Sequence, residues 1–264
     1  MGEFLSYSIV SGLSLFTLFL VYRFMLARDN QPAFNRKVLL FIYLVSFVCM
    51  PLMFHLIEKN DAATQHVITL EDIEVAGEAR HVHEPVWATV LIWGFITGML
   101  IVASKTLLTW VRLINVIVRG EKIRKKNFTL VITDVEEQSP FSWMRYVVIG
   151  EKDNESENSV IIVHEVKHVM SRHWIDLLLA QIVCIINWFN PAAWLMREEL
   201  MLVHEYEADD AVIESGVSRD EYQILLIKKA VGSRFPSLAN SLNHSKIKKR
   251  ITMMCNENSG AGCK

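Results

Sequence analysis

The sequence predicts a mainly α membrane protein: three transmembrane helices followed by a cytoplasmic α+β domain with a small sheet. Three observations carry this. Of 264 residues, 52% are hydrophobic and 21% charged, whereas soluble domains average about 25% charged. The apolar excess is gathered into long runs within the first 118 residues. Beyond about residue 120 the chain changes to short strand-like runs and helix signals.

The first apolar run covers residues 4–22, the second 38–56 and the third 86–104. The last two approach the ~20 residues that cross a bilayer. The first is read as a helix rather than a signal peptide, because Glu3 makes its start acidic and Arg23 stands where a cleavage site should be. Between the first two runs lie Arg23, Arg28, Arg36 and Lys37. The 57–85 loop is acidic, and basic residues return from Lys105 to Lys126. Lysine and arginine gather on the cytoplasmic side. The N-terminus and the 57–85 loop are therefore expected outside, and the chain after about residue 105 inside. Residues 106–118 continue the third run, with Lys105 and Arg112 reaching for headgroups. Three units are expected: a membrane anchor over 1–118, a domain over 119–254 and a disordered tail over 255–264.

In the second unit, residues 128–133 and 146–149 read as strands and 152–159 as a polar loop. Residues 174–189 are apolar but carry Asp176 and Gln181, which favours a helix buried in the domain or lying against the membrane over a fourth span. Asn190-Pro191 reads as a helix start running to about Glu214, with Gly216 as its stop. More helix is expected over 218–231. The tail from Ser241 is polar, with a basic cluster at Lys246, Lys248, Lys249 and Arg250. Net charge is −2, so nothing argues for nucleic acid. Cys49, Cys184, Cys255 and Cys263 have no disulfide or zinc-knuckle spacing. His81-Val82-His83-Glu84 is read as polar loop, because no partner ligands are spaced to close a site.

The chemistry lies in His164-Glu165-Val166-Lys167-His168. Four residues apart on a helix, the two histidines share a face and can grip one ion. A catalytic zinc takes three protein ligands and keeps a fourth position for water, whose pKa falls to about 7. Glu165 is placed to take that proton. The apolar residues on either side imply a buried helix, where histidines without a metal would be costly. A third ligand is needed, and the long helix offers Glu205, with Asp209 four residues on to accept from a ligand histidine N–H. His204 is a rival ligand, while Glu207 points about 200° from Glu205. His173, His204, Tyr206 and Arg197 are candidates to stabilise the oxyanion.

HEVKH, then Arg172-His173-Trp174-Ile175-Asp176, Trp188-Phe189-Asn190-Pro191 and Glu205-Tyr206-Glu207-Ala208-Asp209-Asp210 together resemble the BlaR/MecR family of membrane metallopeptidases. These are gluzincin-type antirepressors. The resemblance covers about residues 120–255, and the three expected helices fit it. It implies an inner-membrane, multi-pass bacterial protein with a cytoplasmic Zn2+ site that cleaves a transcriptional repressor. His164, His168 and Glu205 then look like zinc ligands and Glu165 like the base. The expected partners are the bilayer, that protein substrate and, as a candidate, a second copy of the chain, with no direct nucleic acid. Members of the family continue into another membrane helix and an external sensor, and the basic run ending at Arg250 reads as the approach to such a helix. Two other functions stay open: an HtpX-like quality-control peptidase, and a non-catalytic transmembrane transducer.

Overall fold

The computed structural model describes residues 2–27, 31–46, 86–133, 140–150, 158–232 and 246–255. Helix α1 spans Gly2–Met25, α2 residues 32–46 and α3 Val86–Arg119. Within α3, Thr89–Arg119 is the one helix among the described residues that is long and apolar enough by itself to cross a membrane. The helix continues past residue 104, as the sequence leads one to expect. The first expected span lies inside α1, whose apolar part, Ile9–Met25, is shorter than a span. The second is described only to residue 46, and the 57–85 loop and the HVHE segment fall outside the described residues.

Four strands follow: β1 (Glu121–Arg124), β2 (Thr129–Thr133), β3 (Phe141–Trp143) and β4 (Tyr146–Gly150). Their order is β1-β2-β4-β3, with β2 and β4 parallel and the outer pairs antiparallel. The two strands expected from sequence are the central ones. Alternation sorts their side chains: Leu130, Val147 and Ile149 pack on Val166 and Val169, while Val131 and Val148 pack on Leu113 and Ile117 of α3. The edge strands carry no alternating apolar pattern, Glu-Lys-Ile-Arg being exposed along its length and β3 having three residues. Met144 takes φ 52° in the two-residue turn between β3 and β4, the left-handed backbone such hairpins need.

Helix α4 (Asn158–Met170) carries the HEVKH motif, and α5 (His173–Ile186) follows at a 62° bend. The bend is made at Arg172, φ 54°. α5 ends three residues earlier than expected, because the chain turns at Asn187 to begin α6 (Pro191–Glu214). Asn190 is the N-cap, its side chain accepting from the Ala192 N–H at 3.0 Å. Gly216, φ 96°, follows the helix end.

The α5–α6 turn is wedged between α1 and α3. The Trp188 indole N–H donates to the Phe95 carbonyl at 3.2 Å, and the Asn190 amide to the Gly12 carbonyl at 2.8 Å. A Cβ on Gly98 would stand 2.3 Å from the Trp188 ring, so only glycine permits this approach. Leu15, Phe19 and Tyr22 of α1, Leu39 and Tyr43 of α2, Val183 and Cys184 of α5, and Met196 and Leu200 of α6 share one core. Residues on either side of 118/119 thus bury one another.

Helix α7 covers Arg219–Gly232 and α8 residues 246–255. The basic cluster is part of α8, whose Ile251 and Met254 pack against Val212, Tyr222 and Val160. Residues 256–264 lie outside the described residues.

Candidate active site

α4 and α6 pack side by side, and the sequence pattern explains what they face toward each other. His164 and His168 stand one turn apart on α4, and Glu205 and Asp209 one turn apart on α6. His164 Nε2 lies 3.3 Å from His168 Nε2. Glu205 Oε2 lies 3.4 Å from His164 Nε2, and Glu205 Oε1 lies 3.6 Å from His168 Nε2. Ligands about 2.0–2.1 Å from a tetrahedral zinc stand roughly 3.3–3.4 Å from one another. The three side chains therefore stand close enough to share one ion, one oxygen of Glu205 lying nearer each histidine. Among the described residues, His164, His168 and Glu205 are the one His/Cys/Asp/Glu group close enough to hold an ion.

The inner nitrogens of both histidines are engaged. His164 Nδ1 lies 3.0 Å from Tyr222 Oη and 3.4 Å from Asp209 Oδ1. The Tyr222 hydroxyl donates to Asp209 at 2.7 Å. Arg250 Nε donates to Asp209 Oδ2 at 2.8 Å, its Nη2 closes a bidentate pair with Oδ1, and Nη1 lies 2.8 Å from Glu205 Oε2. His168 Nδ1 lies 2.7 Å from His173 Nδ1, and His173 Nε2 lies 3.0 Å from Glu207 Oε2. With protons on Nδ1 at both ligands, two Nε2 lone pairs and a carboxylate converge on one buried point. Such a donor set calls for a cation.

In the metal-free chain the same groups titrate away from their ordinary values. Burial opposes charge on His164, but hydrogen bonds to Asp209 and then Glu205 outweigh it and raise the pKa to about 9. Burial dominates at His168 and lowers it to about 3. Burial also opposes charge on Glu205, yet the His164 hydrogen bond and the Arg250 charge hold it well below the usual carboxylate range. Asp209 is held down in the same way by His164 and Arg250. Glu165 differs: burial pushes it up, and the charge of His164 and a hydrogen bond with Ser142 of β3 only partly offset that.

Sequence reasoning missed Tyr222 and Arg250. No spacing pattern singles out the tyrosine, and the arginine sat in a cluster read as a membrane approach. His204 does not join the ligand set. Its Nε2 pairs with Asp176 Oδ2 at 3.0 Å, and its ring stacks on His173 at 4.0 Å and 3°. The other oxyanion candidates are also placed: His173 stands behind His168, Tyr206 lies within electrostatic reach of Glu199, Asp209 and Arg23, and Arg197 lines a cleft between α3, α5 and α6. Glu207 is no ligand, in keeping with its direction on α6, but it holds His173.

A histidine pair and a carboxylate on two packed helices, with an acid beside the first histidine and a small sheet at their flank, define a metallopeptidase-like protein. The family model described as BlaR1 peptidase M56 matches residues 38–254, and the chain belongs to that peptidase family. Comparison with curated proteins gives no significant match.

Proposed function

We propose that this protein is an integral membrane zinc metalloendopeptidase of the BlaR/MecR type, cleaving a cytoplasmic transcriptional repressor or a similar regulator in transmembrane signalling. The spacing of His164, His168 and Glu205, each pair 3.3–3.6 Å apart, carries the reading. Membership of the peptidase family and the apolar helix Thr89–Arg119 support it. The distribution of lysine and arginine favours a multi-pass topology with the site on the cytoplasmic side.

His164, His168 and Glu205 would hold the zinc. When bound, it supplies Lewis acidity that acidifies a water and polarises the scissile carbonyl. Glu165 follows His164 on α4 and takes the proton of the attacking water. Its raised pKa suits it to pass that proton to the leaving amine. Its neighbour Ser142 lies on β3, an edge strand among those described. An extended peptide can pair with such an edge and lie across the site. A cleft of about 60 Å3 between β3 and the helices, lined by Ser142, Met144, His168 and Trp174, offers room for a side chain.

The test is to incubate the full chain in a membrane mimic with candidate repressors, beside Glu165→Gln and His164→Ala. Cleavage by the wild type alone, with zinc retained by Glu165→Gln and lost from His164→Ala, is the expected result. Equal cleavage by Glu165→Gln would sink the catalytic assignment. Equal zinc in His164→Ala would sink the metal assignment.

A further inference from the structure

The metal-facing nitrogen of His168 fixes the direction of every hydrogen bond behind it. If Nε2 faces the ion, the proton sits on Nδ1 and is donated to His173 Nδ1 at 2.7 Å. His173 then carries its own proton on Nε2 and donates it to Glu207 Oε2 at 3.0 Å. That same oxygen accepts from Arg36 Nη1 at 3.2 Å. Arg36 stands near the start of α2, 171 positions from Glu207.

Its remaining bonds converge on the same histidine. Arg36 Nε donates to Asp176 Oδ2 at 2.7 Å, and that oxygen also meets His204 Nε2 at 3.0 Å. His204 lies flat on the His173 ring. Arg36 Nη2 donates to the Ser171 carbonyl at 2.8 Å, at the α4–α5 bend. One guanidinium thus holds His173 at its edge through Glu207, at its face through Asp176 and His204, and at the bend just before it. All three nitrogens of the planar fork are used. An ammonium on a flexible stem cannot hold that geometry.

We propose that Arg36 is a positioning residue for the metal ligand His168, acting through Glu207 and His173, and that it ties α2 to the metal site. The inference rests on His168 being a ligand, as the proposed function holds. Arg36 lies outside the His164, His168 and Glu205 group. The hydrogen-bonded partners of a ligand histidine set its tautomer and ring angle, and their loss typically costs 10–100-fold in metal affinity. Because α2 shares its core with α1, α5 and α6, the angle of His168 follows the seat of α2.

The test uses the full chain in a membrane mimic with Co2+ as the probe, reading its visible absorption spectrum and its affinity by chelator competition. Arg36→Gln is expected to weaken Co2+ binding by about 10–100-fold and shift the absorption band. Arg36→Lys is expected not to restore either. Glu207→Leu, which leaves the bonds from Arg36 to Asp176 and Ser171 in place, should reproduce the loss, and the double variant should bind no worse than the weaker single. If Arg36→Gln fails to fold, Glu207→Leu decides. Wild-type affinity and spectrum in the variants that fold, even at lowered stability, would overturn the proposal and leave Arg36 a mere tie for α2. His164→Ala separates the two readings. If it loses Co2+ while Glu207→Leu keeps wild-type binding, the positioning role alone falls. If it keeps wild-type binding, the metal site falls with it.

Discussion

Arg250 Nη1 lies 2.8 Å from Glu205 Oε2, one of the two carboxylate oxygens that face the histidine pair. A cation on α8 therefore neutralises the third candidate ligand from behind. Arg250 also pairs with the buried Asp209, and removing one partner of such a buried, hydrogen-bonded pair costs about 3–5 kcal/mol, because the other charge is left uncompensated. Arg250→Ala is expected to lower the thermal midpoint. The loss should be larger after chelator treatment than with zinc bound, since a bound cation takes over part of the neutralisation of Glu205. Differential scanning fluorimetry with and without chelator checks this; equal losses would contradict it.

Asp209 and Tyr222 stand together behind His164, and they should not be equivalent. Asp209 takes both arms of Arg250 and the tyrosine hydroxyl, whereas Tyr222 contributes one bridging hydroxyl. Asp209→Asn should weaken zinc binding by about 10–100-fold, and Tyr222→Phe by less. Competition titration against a chromophoric chelator gives the order, and the reverse order would refute it.

Burial raises the pKa of Glu165 above its ordinary value, and the hydrogen bond with Ser142 pulls it partly back. A general base works only when ionised. The acid limb of kcat/KM reports this ionisation together with the charge of the bound metal, so the comparison is made between wild type and a variant that differs only at Ser142. Ser142→Ala removes the restraining bond, so its limb should move toward neutral pH. A limb moving to lower pH in that variant would contradict the assignment.

His164 in the metal-free chain has its pKa raised to about 9, so it is charged at pH 7. A ligand histidine must be neutral. Zinc binding at pH 7 should therefore release about one proton from this group, falling away as pH rises past about 9. Calorimetry in buffers of different ionisation enthalpy measures it. The sign for stability follows from the same shift. The contribution of the charged histidine is complete below about 6.5, the unfolded value, and is lost as pH rises through about 9.

At the other end of the molecule, Gly98→Ala would place a methyl 2.3 Å from the Trp188 indole, whose N–H is bonded to Phe95. Overpacking of this kind costs typically 1–3 kcal/mol. The variant should unfold at lower temperature, and replacing Trp188 by Leu in the same chain should recover part of the loss.

What could be read beforehand was local. The HEVKH helix announces itself by its own spacing, and α6 by Asn190-Pro191 at its start and Gly216 past its end. Glu205 and Asp209 could be named because one helical turn separates them. Arg36, Tyr222 and Arg250 reach the site from other elements, up to 171 positions away. No periodicity encodes such a meeting. α5 was legible as a helix buried in the domain or lying against the membrane, but not its insertion between α1 and α3. That depends on Gly98 and Gly12 clearing space for Trp188 and Asn190, a fact about partners rather than about the segment itself.

The core shared by α1, α2, α5 and α6 has a consequence for biosynthesis. Side chains near residues 15–43 must wait for those near 180–203 before either is buried, and loop closure over such distances is slow. Arg250 emerges from the ribosome later still. A nascent chain can therefore display the whole HEVKH segment while the groups that orient it are unmade or undocked. Hydrolytic competence would then wait until Arg250 has emerged and docked, sparing the polypeptide and its neighbours until that point.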